Sequence, residues 1–267
     1  MGILNVTPDS FSDGGLYLDP ERAVARGVEM AGEGADVIDV GGESTRPGAD
    51  PVPPEAEQAR VETVVRELRR RVSVPISVDT RRAAVARAAL EAGADIVNDV
   101  SALRDPAMAE VIREFGAGAV LMHMQGEPAT MQRAPAYSDV VAEVADFLRE
   151  RLEAAAAAGI GREQVVLDPG IGFGKTPEHN LALLAALPRL AALGRPVLVG
   201  VSRKSVVGHL TGRPVHERRA GSLALAVWAV LNGADIVRVH DVRDSCDAMS
   251  VADRMAAEGL RHGVGMD

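Results

Sequence analysis

Pro75-Ile-Ser-Val-Asp-Thr-Arg-Arg-Ala-Ala-Val-Ala-Arg-Ala-Ala-Leu-Glu-Ala-Gly-Ala-Asp-Ile-Val-Asn98 decides the fold. An apolar run, Pro75–Asp79, ends in a carboxylate, and a helix-compatible stretch, Arg81–Ala92, follows it. Gly93 can end that helix in the left-handed conformation, and a second run, Asp95–Asn98, ends in an amide. Strand, helix and strand joined by short links describe a parallel pair with a right-handed crossover. A buried strand gains nothing from ending in a polar group, so such ends point to a site.

The same unit recurs outward in both directions. Gly-Ala-Asp followed by β-branched residues stands at Gly34–Ile38, Gly93–Val97 and Gly233–Val237. Eight runs can be marked: Gly2–Asn5, Asp36–Val40, Pro75–Asp79, Asp95–Asn98, Ala119–His123, Val165–Asp168, Val197–Val201 and Asp235–His240. Between and after them lie the helix-compatible stretches Pro20–Gly32, Pro54–Arg71, Arg81–Ala92, Pro106–Phe115, Ser138–Ala158, Pro177–Leu193, His216–Asn232 and Asp244–Met255. Asp19, Asp105 and Thr176 each stand before a proline, the pattern of a cap followed by proline in the first turn. Eight alternations favour an α/β fold, a closed (β/α)8 TIM barrel occupying residues 1–267 as a single domain, over an open doubly wound sheet.

Composition narrows the function. The 267 residues carry a net charge of -9, which argues against a nucleic-acid surface. One cysteine, Cys246, excludes an internal disulfide framework and fits a reducing compartment, so the expected location is the cytoplasm. No apolar run is long enough to span a bilayer, so no membrane partner is expected.

The strand ends and the links after them carry the chemistry. Three of these links are long, Thr7–Asp19, Gly41–Pro53 and Met124–Tyr137, and all fall on one rim of a barrel. Asp79, Asn98 and Asp168 suit a heterocycle that presents N–H donors and a carbonyl, although Asp79 could instead cap the next helix. Asn5, Arg238 and His240 would converge across strands one and eight as an anion site with room for a metal, to which Asp9 and Asp13 could add charge. The bland alternative there is a surface pair between Arg238 and Asp241. Asp168-Pro-Gly-Ile-Gly-Phe-Gly-Lys-Thr176 is not a phosphate loop, because Pro169 stands where the first glycine is required. Its glycines are expected to let backbone approach a flat ligand, and Phe173 to offer a ring or to pack. Ser202-Arg-Lys-Ser205 places cations after strand seven, or is a solvated basic turn. Histidine spacing gives no zinc-hydrolase motif, and no nucleophile elbow occurs.

Together these segments resemble the bacterial dihydropteroate synthase family of pterin-binding TIM barrels. Gly2-Ile-Leu-Asn-Val-Thr-Pro-Asp-Ser-Phe-Ser-Asp-Gly-Gly15 and Gly42-Glu-Ser-Thr-Arg-Pro-Gly48 are similar to its first two signatures. Ser77–Thr80, Asn98-Asp99, Met122–Gly126, Asp168–Lys175, Ser202–Ser205 and Arg238–Asp241 follow in the family's order. The resemblance implies that p-aminobenzoate is joined to 6-hydroxymethyl-7,8-dihydropterin diphosphate with release of diphosphate, with Mg2+ as cofactor. It implies that Asp79, Asn98, Asp168 and Lys204 hold the pterin edge. Arg238 would lie on the pterin face and bind diphosphate with His240 and Asn5, and Asn5 would ligate Mg2+. Phe11, Thr45, Arg46, Pro47 and Ser205 would frame p-aminobenzoate, with Thr45 also near the pterin diphosphate and Phe173 beside the pterin. Asp13 and Arg46 would close over the reacting centre. A homodimer and a sulfonamide target are implied in the same way. Family members usually carry a segment ahead of the first signature, so a chain starting at Met1 implies either a shortened sequence or a less covered barrel floor. A corrinoid-linked methyltransferase would keep the pterin set without needing the diphosphate residues or the Glu43–Gly48 loop. A non-catalytic pterin binder would not need Asn5, Lys204 and Arg238 together.

Overall fold

The computed structural model describes residues 1–7, 19–43 and 52–261, with residues 260 and 261 described by backbone alone. The strands are β1 (Gly2–Asn5), β2 (Ile38–Gly41), β3 (Ile76–Asp79), β4 (Ile96–Asp99), β5 (Gly118–Met122), β6 (Val165–Asp168), β7 (Leu198–Val199) and β8 (Ile236–Val237). β1 to β6 pair in sequence order, as do β7 and β8, and every pairing is parallel. Parallel bridges from Leu167 to Val197 and from Gly2 to Val239 join the two groups. The sheet therefore closes on itself as the eight-stranded barrel, and the open-sheet alternative falls.

Around it run α1 (Pro20–Gly32), α2 (Pro54–Arg69), α3 (Ala83–Glu91), α4 (Met108–Phe115), α5 (Val140–Ala157), α6 (Pro177–Ala185), α7 (Leu187–Ala191), α8 (Ser205–Thr211), α9 (Arg219–Leu231) and α10 (Val242–Arg261). Asp19, Asp139 and Thr176 cap α1, α5 and α6 with side-chain oxygens. Several boundaries depart from the sequence expectation, among them the last helix, α10, which outruns the expected Asp244–Met255 at both ends, and three more that bear on the site side. The stretch Pro177–Leu193 is two helices, because Pro188 in the first turn of α7 has no N–H to continue the hydrogen bonding of α6. The basic segment turns at Ser202–Arg203, and a short helix that the sequence expectation did not mark, α8, begins at Ser205. Arg219, not His216, begins α9, since Val215–Glu217 forms a 3-10 turn.

Strand periodicity divides the buried side chains into two populations. Ile76, Val78, Val97, Leu121, Val165 and Leu167 point outward and join one large core with the helices. Met1, Val37, Ile96, Val120, Val166, Leu198 and Ile236 point inward and pack together as the floor of the barrel. Two residues further along each of six strands, on the same inward face, stand Asp39, Asn98, Met122, Asp168, Gly200 and Arg238. The fold thus sets a mostly polar tier directly on an apolar one. None of the described helices is long and apolar enough to cross a membrane.

Candidate active site

Arg238 organises the polar tier. Its Nε donates to Asp39 Oδ2 at 2.6 Å, and an Nη donates to Asp79 Oδ2 at 2.8 Å. Asn98 Nδ2 donates to the same Asp39 oxygen at 3.0 Å. The pair expected as the bland alternative, Arg238 with Asp241, does not form: Asp241 takes a two-pronged contact from Arg203 at 2.6 and 3.1 Å. Asp79 does not cap the following helix either. The first N–H of α3, at Ala83, goes to Asp105 Oδ2 at 2.8 Å. Asp79 is held for the lumen, and its Oδ1 is buried with no partner. Burial pushes the Asp79 carboxyl up to about 7, against the pull of Arg238 and with a further push from Asp39. Burial opposes the charge on Arg238, but Asp39 and Asp79 outweigh it and its pKa is raised.

The opposite wall comes from β6 and the loop after β7. Asp168 is buried, which raises its pKa against the pull of Lys204, and it accepts from Gly170 N at 2.7 Å. Lys204 Nζ donates to Ile171 O at 2.5 Å and lies 4.7 Å from the centre of the Phe173 ring, a cation–π contact. Burial lowers the Lys204 pKa to about 8, with Asp168 opposing. Between Lys204 and Arg238, Gly200 has no side chain: a Cβ there would sit 3.5 Å from Lys204 Nζ and 3.8 Å from Arg238 Cβ. The missing side chain leaves room for a flat group between the two cations.

The glycines of the β6–α6 loop have a different purpose from the one expected. Gly170 and Gly174 have φ of +67° and +62°, and a Cβ on them would lie 1.9 Å from His123 O and 2.4 Å from Gln125 O. They admit the backbone of the β5–α5 link rather than a ligand. Gly172 also has a positive φ, and a Cβ there would meet Lys204 Cδ at 3.3 Å.

On the β1–β8 side, Asn5 ends β1 and is half-buried. His240 Nδ1 lies 2.9 Å from Ser202 Oγ. His240 also lines a cavity of about 250 Å³ together with Ile3, Arg26, Arg203 and Asp241. Ser205 is exposed at the start of α8. Beneath the second long link, Arg82 reaches buried Glu57 and, at 2.9 Å, Glu43. Glu43 in turn accepts from Val52 N at 3.1 Å, so one carboxylate ties the two stems of that link.

Residues 1–240 match the family model for pterin binding enzymes. The chain is 52% identical over 258 residues to the dihydropteroate synthase of Neisseria meningitidis serogroup B, covering 94% of this chain and 90% of that one. It belongs to the dihydropteroate synthase family. Among solved structures, the dihydropteroate synthase of Yersinia pestis with a sulfonamide drug complex superposes with a TM-score of 0.94 at 46% identity, covering 96% of this chain and 94% of that one. The Xanthomonas albilineans dihydropteroate synthase with 4-aminobenzoic acid gives a TM-score of 0.90 at 51% identity, covering 96% and 92%.

Of the residues anticipated from the family pattern, Asp79, Asn98, Asp168, Phe173, Lys204 and Arg238 gather around one lumen mouth, with Asn5 and His240 on its β1–β8 side. Phe11, Asp13, Thr45, Arg46 and Pro47, with Asp9, lie outside the described residues. Two residues that shape this arrangement carry no role in the sequence expectations. Asp39 closes an apolar run, and its place two positions beyond inward-facing Val37 is the signal that it faces the lumen. Lys175 ends the Asp168–Lys175 segment of the family pattern, and its spacing gives no hint that it turns inward.

Proposed function

We propose that this chain is the transferase that joins p-aminobenzoate to (7,8-dihydropterin-6-yl)methyl diphosphate, giving 7,8-dihydropteroate and diphosphate in folate biosynthesis. The observation that carries the assignment is the polar tier itself. Three buried carboxylates, an amide and two cations converge on a space that Gly200 leaves open, above an apolar floor.

The pterin edge presents several N–H donors and a carbonyl. Asp79, through its unpartnered Oδ1, and Asp168 accept from the donors, while Asn98 and Lys204 complete the edge. Phe173 and Arg238 flank the ring. Loss of diphosphate leaves a cationic methylene carbon on the pterin, and the neighbouring carboxylates stabilise it. Arg238, His240 and Asn5 take the diphosphate. The neutral aromatic amine of p-aminobenzoate attacks the cation directly and then sheds a proton, so no covalent nucleophile is needed. Phe11, Thr45, Arg46, Pro47 and Ser205 frame p-aminobenzoate, with Thr45 reaching the pterin diphosphate as well. Asp13 and Arg46 close over the centre and exclude water that would otherwise capture the cation.

Asn5 is the residue that would hold Mg2+. No group of three His, Cys, Asp or Glu among the described residues is arranged to hold a metal. A single amide oxygen supplemented by diphosphate oxygens is nevertheless a fitting set, because Mg2+ keeps several waters and is commonly held by one or two protein oxygens and substrate phosphates. Bound there, the ion neutralises charge on the departing diphosphate.

The chain also works as a homodimer in the cytoplasm. Support for the dimer comes from Leu210 of α8 with Trp228 and Leu231 of α9, which expose about half of their surface each: 49%, 50% and 52%. Support for the compartment comes from the lone cysteine. A diphosphate-release assay tests the reaction. Release that requires both p-aminobenzoate and Mg2+ is the expected result, and release indifferent to p-aminobenzoate would overturn the assignment.

A further inference from the structure

Lys175 is 2% exposed, and its terminal nitrogen faces inward under the β6–α6 loop, where burial lowers its pKa to about 7 with Asp168 opposing. It lies 3.0 Å from Gly170 O, 3.0 Å from Phe173 O, 3.3 Å from His123 O and 2.9 Å from His123 Nδ1. Three of these acceptors are carbonyls, two from the β6–α6 loop and one, His123 O, from the β5–α5 link. Gly170 O also accepts from Phe173 N at 3.0 Å. Removing the lysine nitrogen would therefore leave the Phe173 and His123 carbonyls short of a donor, at a cost of about 1–3 kcal/mol for each such group that is buried. His123 can only serve as acceptor here while neutral. Burial, then the charge of Lys175, lowers its pKa to about 3, so it stays neutral.

The clamped loop is the part that touches the pterin wall. Its Ile171 O fixes Lys204 Nζ, its Phe173 ring lies beside the same ammonium, and its Gly170 N fixes Asp168. Lys175 acts on Asp168 of the lumen tier through its charge, while its hydrogen bonds go to the loops beneath. It gathers the carbonyls of residues on either side of Ile171, the residue that holds Lys204.

We propose that Lys175 is a positioning residue for pterin capture: by binding Gly170, Phe173 and His123 it sets the loop that aims Lys204 and Asp168 at the pterin. The proposal rests on the assignment of Lys204 to the pterin edge. Its effect falls on the pterin diphosphate and not on p-aminobenzoate.

The test is a double-mutant cycle. Binding of pterin diphosphate is measured by calorimetry for the wild type, Lys175→Met, Lys204→Met and the double variant, with KM for p-aminobenzoate measured alongside. Lys175→Met is expected to weaken pterin diphosphate binding by on the order of 10- to 100-fold, as small misplacements of a site do. KM for p-aminobenzoate should stay within about twofold, and in the Lys204→Met background the second change should cost clearly less than in the wild type, the remainder passing through Asp168. Equal losses in both backgrounds, or no loss on Lys175→Met, would overturn the proposal. Thermal melting checks folding. Lys175→Gln, which keeps two N–H donors without the charge, replaces the methionine variant if that variant is unfolded, and is judged by the same cycle. A wild type that binds no pterin diphosphate would overturn the functional assignment instead.

Discussion

The guanidinium of Arg238 and the carboxylate of Asp39 meet at 2.6 Å across 199 residues of sequence. Asp39 is fully buried, and Arg238 has 18% of its side chain exposed. One oxygen of Asp39 therefore fixes the cation on β8, and the Asn98 amide on β4 shares it. Replacing Asp39 with leucine takes that oxygen from both and leaves Arg238 with Asp79 alone. Breaking a buried pair is costly, and the remaining Asp79 contact with the partial exposure of Arg238 softens the penalty. Asp39→Leu should lower stability by about 2–4 kcal/mol in urea unfolding. It should also depress kcat/KM for pterin diphosphate in whatever fraction remains folded.

Asp168→Ala should abolish pterin binding. Its carboxylate is the acceptor on the β6 side of the lumen, and its other contact, with Gly170 N, is internal. Calorimetry with the bare pterin is the measurement, because it removes any contribution from diphosphate. Unchanged affinity would show that the pterin edge is read elsewhere.

The pH dependence follows from Asp79 and Lys204. Asp79 titrates at about 7, raised mainly by burial, and is needed ionised, so kcat/KM for pterin diphosphate should rise through pH 7. Lys204 titrates at about 8, lowered mainly by burial, and is needed charged, so the same quantity should fall above pH 8. The expected profile is a narrow bell. Lys204→Arg should carry the alkaline limb beyond the accessible range, because guanidinium stays charged. An alkaline limb unchanged in that variant would assign it to another group.

Two glycines separate backbone strain from steric clash. Gly194 has a φ of +77° with nothing within 4 Å of a built Cβ, so Gly194→Ala should cost only about 1–2 kcal/mol. Gly170 has a φ of +67° and the His123 carbonyl 1.9 Å from the same position. Gly170→Ala should therefore cost about 3–5 kcal/mol in the same denaturation experiment, with pterin binding lost as the β6–α6 loop shifts.

The barrel was legible in the sequence because its signals are local. Gly-Ala-Asp before β-branched residues marks a helix end and a strand start within five positions, and the pattern repeats. Asp79, Asn98 and Asp168 were legible because each terminates an apolar run, where burial without purpose is costly. What the sequence did not disclose depends on distance or direction. Asp39 and Arg238 are partners only because the barrel closes. Lys175 is buried among the carbonyls of Gly170, Phe173 and His123, and the last of these comes from a different loop, a meeting that spacing does not encode. The short helix α8 was hidden by its basic start, which reads equally as a turn.

The pairing of Gly2 with Val239 has a consequence for how the molecule is made. It sets the first of the described strands against the last, so Asn5 and Arg238 cannot face one rim until translation has passed β8. Asp79 and Asn98 sit on strands that can pair well before β8 emerges. A nascent chain still short of β8 can thus assemble one wall of the polar tier but not the side that Asn5 and Arg238 share.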